Sequence, residues 1–173
     1  MQKENTRTLT KKIALLALLT AMGVVLARFV PVLNILTSKY EFSFIAVMIA
    51  AYLTGPIGGA AVGGLIDLIG TLLVPTGAYF PGFTVTAALT GLVFGLFFYK
   101  KCSFPRIILS VVLTQGICSL LINTWFISTF FTHSGFFALL ATRGIQVAIM
   151  SVMQIVFATV FFDRIDFKKY LKF

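Results

Sequence analysis

The chain has 173 residues, of which 59% are hydrophobic and 11% charged, and its mean hydropathy is +1.02. A soluble domain carries about a quarter charged residues, so this chain cannot cover a globular surface with polar groups. The net charge of +9 would suggest nucleic acid on a soluble protein, but in a membrane protein basic residues are read by position and no nucleic-acid partner is expected.

The predicted fold is an all-α integral membrane protein, a compact bundle of six transmembrane helices forming one domain over residues 1–173. The first apolar run covers about 12–30 and stops at Pro31. Its start looks like a signal peptide, but it contains Arg28 and no small-residue cleavage site, so it is expected to be kept as a span. The second run, about 42–54, is short and ends at Gly55-Pro56. The third covers about 57–74 and ends at Pro75. Proline follows all three because it cannot continue a helix. The fourth run covers about 83–99, the fifth 107–127 and the sixth 137–162. A short second span must be tilted, kinked or shielded, because lipid cannot satisfy an open backbone.

Eleven of the fourteen basic residues then fall on one side. Lys3, Arg7, Lys11 and Lys12 precede the first span; Lys100, Lys101 and Arg106 join the fourth to the fifth; Arg164, Lys168, Lys169 and Lys172 follow the sixth. By the positive-inside rule both termini are cytoplasmic, and five or seven spans would split these clusters. Arg28, Lys39 and Arg143 remain, toward the outer face. Arg28 either snorkels to the interface or, like Arg143, meets a partner or a wet cavity.

Small residues recur in steps of four: Gly55, Gly59 and Gly63; Gly91 and Gly95; Ala17 and Ala21. Such faces let helices approach closely. The glycines read as internal packing, whereas Ala17 and Ala21 fit either packing or docking to another membrane protein. Asp67, in GGLIDLIG, is the one acid inside a span, and it serves either a functional site or a structural pair with Arg28 or Arg143. Gln115, Ser119 and Asn123 share one helical face, and Arg143, Gln146, Met150 and Gln154 another. These stripes suggest a cavity open to the outside, with polar glue between helices as the alternative. Tyr79, Phe80, Phe83 and Trp125 enrich the short outer loops, as interfacial anchors or as faces for a flat heterocycle. His133 stands without clustered ligands, so no metal site is expected. Cys102 and Cys118 form neither a CxxC motif nor a disulfide framework. No P-loop, GxSxG, HExxH or catalytic carboxylate pair is present, and no two-fold repeat is evident, so neither an enzyme nor a self-powered transporter is expected.

The run YFPGFT, Tyr79 to Thr84, followed by Ala88-Leu89-Thr90-Gly91 and Gly95, resembles the substrate-binding S components of energy-coupling factor (ECF) vitamin transporters, most closely the folate-type branch. Ala17-Leu18-Leu19-Thr20-Ala21 is similar to that family's AxxxA docking motif, and Asn123-Thr124-Trp125 and Arg143 fit the folate-type pattern. The resemblance implies a bacterial, multi-pass cell-membrane subunit that captures folate on the outer side and carries no cofactor. It also implies docking through Ala17 and Ala21 on a transmembrane coupling subunit driven by two cytoplasmic ATPases, with the subunit toppling to deliver the vitamin. Folate would then find aromatic faces in Tyr79, Phe83 and Trp125, and polar partners in Asn123, Gln115 and Asp67. The Asp67 carboxylate suits an N–H pair on the pterin edge, and Arg28 and Arg143 suit the glutamate carboxylates. An S component for another heterocycle, a self-sufficient carrier or channel, and a membrane enzyme or assembly factor are the alternatives.

The orientation is testable by labelling intact cells. A cysteine at Ser134 or Thr76 should react with an impermeant reagent, and one at Thr8 should not; labelling at Thr8 would overturn the orientation.

Overall fold

The computed structural model describes residues 2–28, 41–75, 79–99, 102–131 and 136–164, and every regular element among them is helical. Lys39, Lys100, Lys101, His133, Lys168, Lys169 and Lys172 lie outside the described residues, as do Thr76 and Ser134.

Helix α1 (Gln2–Arg28) is rich in Leu and Ala and stops before Pro31. One face turns inward through Leu19, Thr20, Val24 and Ala27, while Ala17, Leu18, Ala21, Met22 and Val25 face outward. Helix α2 (Phe44–Leu73) contains both the second and the third apolar run. Five helices among the described residues are therefore long and apolar enough to cross a membrane, where the sequence divides into six runs.

The difference lies at Gly55, whose φ of 85° and ψ of −165° are open only to glycine at little cost, and at Pro56, which has no N–H to continue the ladder. The chain reverses there. A Cβ placed on Gly23 of α1 would meet both the Ile66 side chain and, at 3.2 Å, the Ala46 Cβ. A straight helix would hold those two residues about 30 Å apart. Two limbs, 44–54 and 56–73, thus lie side by side. The first is only about 16 Å long by helical rise, short of a hydrocarbon core of about 30 Å. Its Ala46, Met48, Ala50 and Ala51 are fully buried, so protein rather than lipid surrounds it.

Helix α3 (Pro81–Phe98) begins with proline in its first turn, where a missing N–H costs nothing. It packs on α2 with backbone touching backbone. A Cβ on Gly91 would strike the Gly59 carbonyl, one on Gly59 the Gly91 carbonyl, one on Gly63 the Ala87 carbonyl, and one on Gly95 the Pro56 backbone. The glycine steps of four are internal packing. Helix α4 (Phe104–Leu113) runs without interruption into π-helical turns over Thr114–Ile122, then α5 (Asn123–Phe126), then a π turn over Ile127–Phe131. Helix α6 (Phe136–Arg164) lies against α4 and the first π turns. At its far end Phe162 joins three elements, with ring centroids 4.8 Å from Tyr52 and 5.5 Å from Phe98.

Substituting Gly91→Leu should force α2 and α3 apart and cost about 1–3 kcal/mol, as overpacking does. Thermal unfolding of the detergent-solubilised protein should show it as a lowered midpoint. Gly116→Ala adds its methyl where nothing lies within 4 Å, and should leave the midpoint nearly unchanged.

Candidate ligand-binding site

Several of the candidate site residues lie where α2 ends and α3 begins. Asp67 sits less than two turns from the end of α2, and Thr84 in the first turn of α3 donates to its Oδ2 at 2.7 Å. The Tyr79 hydroxyl lies 3.4 Å from Thr84 Oγ1. Because the Thr84 hydrogen is engaged by the carboxylate, Tyr79 is the donor in that pair. One turn beyond Asp67, Thr71 Oγ1 accepts from Arg28 Nη2 at 2.9 Å. The Arg28 guanidinium lies over Gly70, with Nε 2.9 Å from where a Cβ would stand, so the absent side chain leaves room for it. Arg28 therefore reaches inward from α1 to the Asp67 face of α2 instead of snorkelling outward.

Two residues after Thr84, on the opposite side of α3, buried Thr86 serves a second cluster. Its Oγ1 lies 2.8 Å from Asn123 Oδ1 and 2.9 Å from the Phe83 carbonyl, and its one hydrogen is shared between them. Helix α3 thus holds Asp67 on one side and Asn123 on the other. Above them the rings of Phe80, Phe83, Phe126 and Phe130 form one cluster, with Phe80 5.7, 5.0 and 4.9 Å from the other three.

The structure joins Asp67 to Tyr79 through Thr84, and Phe83 to Asn123 through Thr86. It sets Arg28 one turn away. Trp125 stands apart, 54% exposed with its ring 5.4 Å from Phe126, on the outside of the cluster. Gln115 is buried in the π turns, about 12 Å along the chain from Asn123 by helical rise, and no hydrogen bond links the two. Arg143 in α6 is half-buried, and its Nε is buried without a hydrogen-bond partner among the described residues. Ala17 and Ala21 are exposed on the outer face of α1, away from the site.

Sequence reasoning missed Thr71 and did not single out Thr84 or Thr86. Thr71 carried a signal, four residues after Asp67 and so on its face. Thr84 and Thr86 carried none, since a threonine in an apolar helix ordinarily bonds its own backbone, as Thr54, Thr90 and Thr159 do here.

A family model described as "ECF transporter, substrate-specific component" matches residues 11–165. The chain belongs to this family. As an S component it is a transporter's substrate-binding part and not an enzyme, and its apolar helices make it a multi-pass membrane protein. It is 32% identical over 136 residues to a folate transporter FolT of Clostridium novyi (strain NT), covering 78% of each chain. It is 31% identical over 152 residues to a folate transporter FolT of Leuconostoc mesenteroides, covering 84% of this S component and 81% of that relative. A solved structure titled "Crystal structure of FolT bound with folic acid" superimposes with a TM-score of 0.82 at 29% identity, covering 91% of this chain and 95% of that one.

The two threonines can be separated from ordinary helix hydroxyls. Replacing Thr86 with Val should leave the carbonyl oxygen of half-buried Asn123 without its donor and cost about 1–3 kcal/mol. Thr159→Val removes a bond only to its own helix and should cost less; equal shifts in unfolding midpoint would count against the α3–α5 link.

Proposed function

We propose that this S component captures folate on the outer side of a bacterial cell membrane and passes it inward together with a transmembrane coupling subunit and two cytoplasmic ATPases. The choice of vitamin is supported by the relatives named as folate transporters and by the superimposable protein crystallised with folic acid. Within this chain the reading rests on Arg143, a cation in an apolar span whose buried Nε has no partner among the described residues. Such a group is costly in lipid unless an anion meets it, and the glutamate tail of folate brings two carboxylates. A guanidinium binds a carboxylate bidentately and keeps its charge when partly buried.

Arg28 is a second cation for the tail. Tyr79, Phe83 and Trp125 offer faces to the rings, and Asp67, Asn123 and Gln115 offer hydrogen-bond partners. The reversal at Gly55 supports counting the limbs of α2 as separate spans, the first shielded by protein. The count becomes six and returns both termini to the cytoplasmic side with the basic clusters. The outward face of α1 at Ala17 and Ala21 suits close approach of a partner helix, because small side chains let backbones come near.

Replacing Arg143 with Ala should weaken folate binding by about 2–5 kcal/mol, the cost of breaking a desolvated charge pair. Pteroate, which lacks the glutamate, should lose far less in the same titration; equal losses would assign Arg143 to the fold. On the docking face, Ala17→Trp or Ala21→Trp should abolish ATP-dependent uptake in reconstituted vesicles while folate binding by the isolated subunit stays near normal. Loss of both would mean that these residues serve the bundle itself.

A further inference from the structure

We propose that Gln154 forms the far end of the ligand site and accepts a hydrogen bond from the N–H edge of the bound heterocycle, a role that rests on the folate reading above. Gln154 is 4% exposed, and its Oε1 is buried with no hydrogen-bond partner among the described residues. A buried amide oxygen without a donor is costly, and such orphans in native structures call for an explanation. The nearest-packed segments show why no donor among the described residues bonds it. On α4 and the first π turn, the buried Ser110 hydroxyl donates to the Ile107 carbonyl at 2.8 Å, and the buried Thr114 hydroxyl to the Ser110 carbonyl at 2.9 Å. Both hydrogens are spent on their own backbone.

The second observation is the register with Arg143. Eleven residues make about three helical turns, so Gln154 lies on the same face of α6 as Arg143 and about 16 Å farther along it. Half-buried Met150 lies between them on that face. One side of one helix therefore presents, at one end, a guanidinium Nε without a partner among the described residues, a flexible thioether in the middle and, at the other end, an amide oxygen likewise without one. That sequence of groups fits a long ligand with carboxylates at one end, an aromatic ring in the middle and an N–H-bearing heterocycle at the other. Folate has this order: the glutamate for Arg143, the benzoyl ring beside the Met150 sulfur, and the 2-amino and N3–H edge of the pterin for Gln154. The pterin edge is thereby assigned to Gln154, and Asp67 keeps its bond from Thr84.

Gln154→Leu conserves volume and removes the acceptor. Titration of the purified full-length protein with folate, alongside thermal unfolding of the ligand-free protein, tests the assignment. The expected result is a loss of about tenfold or more in folate affinity, with an unfolding midpoint equal to or above that of the wild type, because the leucine leaves no orphaned polar group. Unchanged folate affinity would overturn the assignment. So would a midpoint falling together with affinity, or failure of the variant to fold, since either outcome makes Gln154 structural. Asp67→Asn is the comparator: a pterin-dependent loss there, with Gln154→Leu silent, would move the heterocycle to Asp67. Absence of folate binding by the wild type would overturn the folate reading and this assignment together.

Discussion

The backbone contact between Gly59 and Gly91 fixes the register on which the site depends. The second limb of α2 and α3 run antiparallel, so each turn forward on one faces a turn back on the other. Gly95 meets Pro56, Gly91 meets Gly59, and Ala87 meets Gly63. One more step in the same direction brings Thr84 opposite Asp67, where the 2.7 Å hydrogen bond forms. The position of the carboxylate is therefore set by side chains that are missing about one and two turns away, at Gly63 and Gly59. Helices this close gain dispersion and weak carbonyl contacts, and in lipid that packing replaces the hydrophobic drive that holds a soluble core together. A Cβ at the crossing would lengthen the distance between the helices and separate Asp67 from its donor without touching either.

On that frame the polar groups obey a strict account, since water does not enter the hydrocarbon region to correct an omission. Most hydroxyls within the helices bond a carbonyl one turn back, as Thr20, Ser110, Thr114 and Ser151 do, and so present only apolar or accepting surface to their neighbours. Among the described residues Thr71, Thr84 and Thr86 instead bond across helices, to Arg28, Asp67 and Asn123. Three of the residues expected to recognise a ligand, Arg28, Asp67 and Asn123, are thus held in place by interhelical hydrogen bonds. Arg143, Gln154 and Thr124 each keep a buried atom outside that scheme among the described residues.

Much of this was legible in the sequence because lipid makes the code simple. Apolar runs, their proline stops and the glycine steps identify the helices and the faces that touch. Gly55-Pro56 was read as the end of a span, and the reversal lies there; periodicity could not say whether the break was a bend or a fold-back, which only the contacts of Gly23 with both limbs decide. The polar faces were visible as stripes, but a stripe gives direction and not reach. Trp125 and Asn123 are neighbours in sequence, yet helical geometry turns one outward and the other toward Thr86. The π turns from Thr114 to Ile122 were not legible at all, because an i→i+5 ladder has no residue pattern of its own.

The two halves of the site rest on unequal supports. Of the five apolar helices α2 is the most buried and α6 the least. Asp67, Thr84 and Thr86 stand on the tightly packed pair, whose register the glycines set, whereas Arg143 and Gln154 stand on a helix that touches the rest of the bundle far less. A ligand that engages both halves ties the loosely packed helix to the rigid one. By linkage such a ligand would stabilise the packed arrangement of α6 by its difference in affinity for that arrangement and any looser one. On the proposed reading, the α6 groups that lack a partner among the described residues cost stability while the site is empty and recover it when a ligand of the right length spans them. On that reading, moving α6 relative to the core would break the ligand's contacts while leaving the Gly59–Gly91 crossing, which holds α2 to α3, in place.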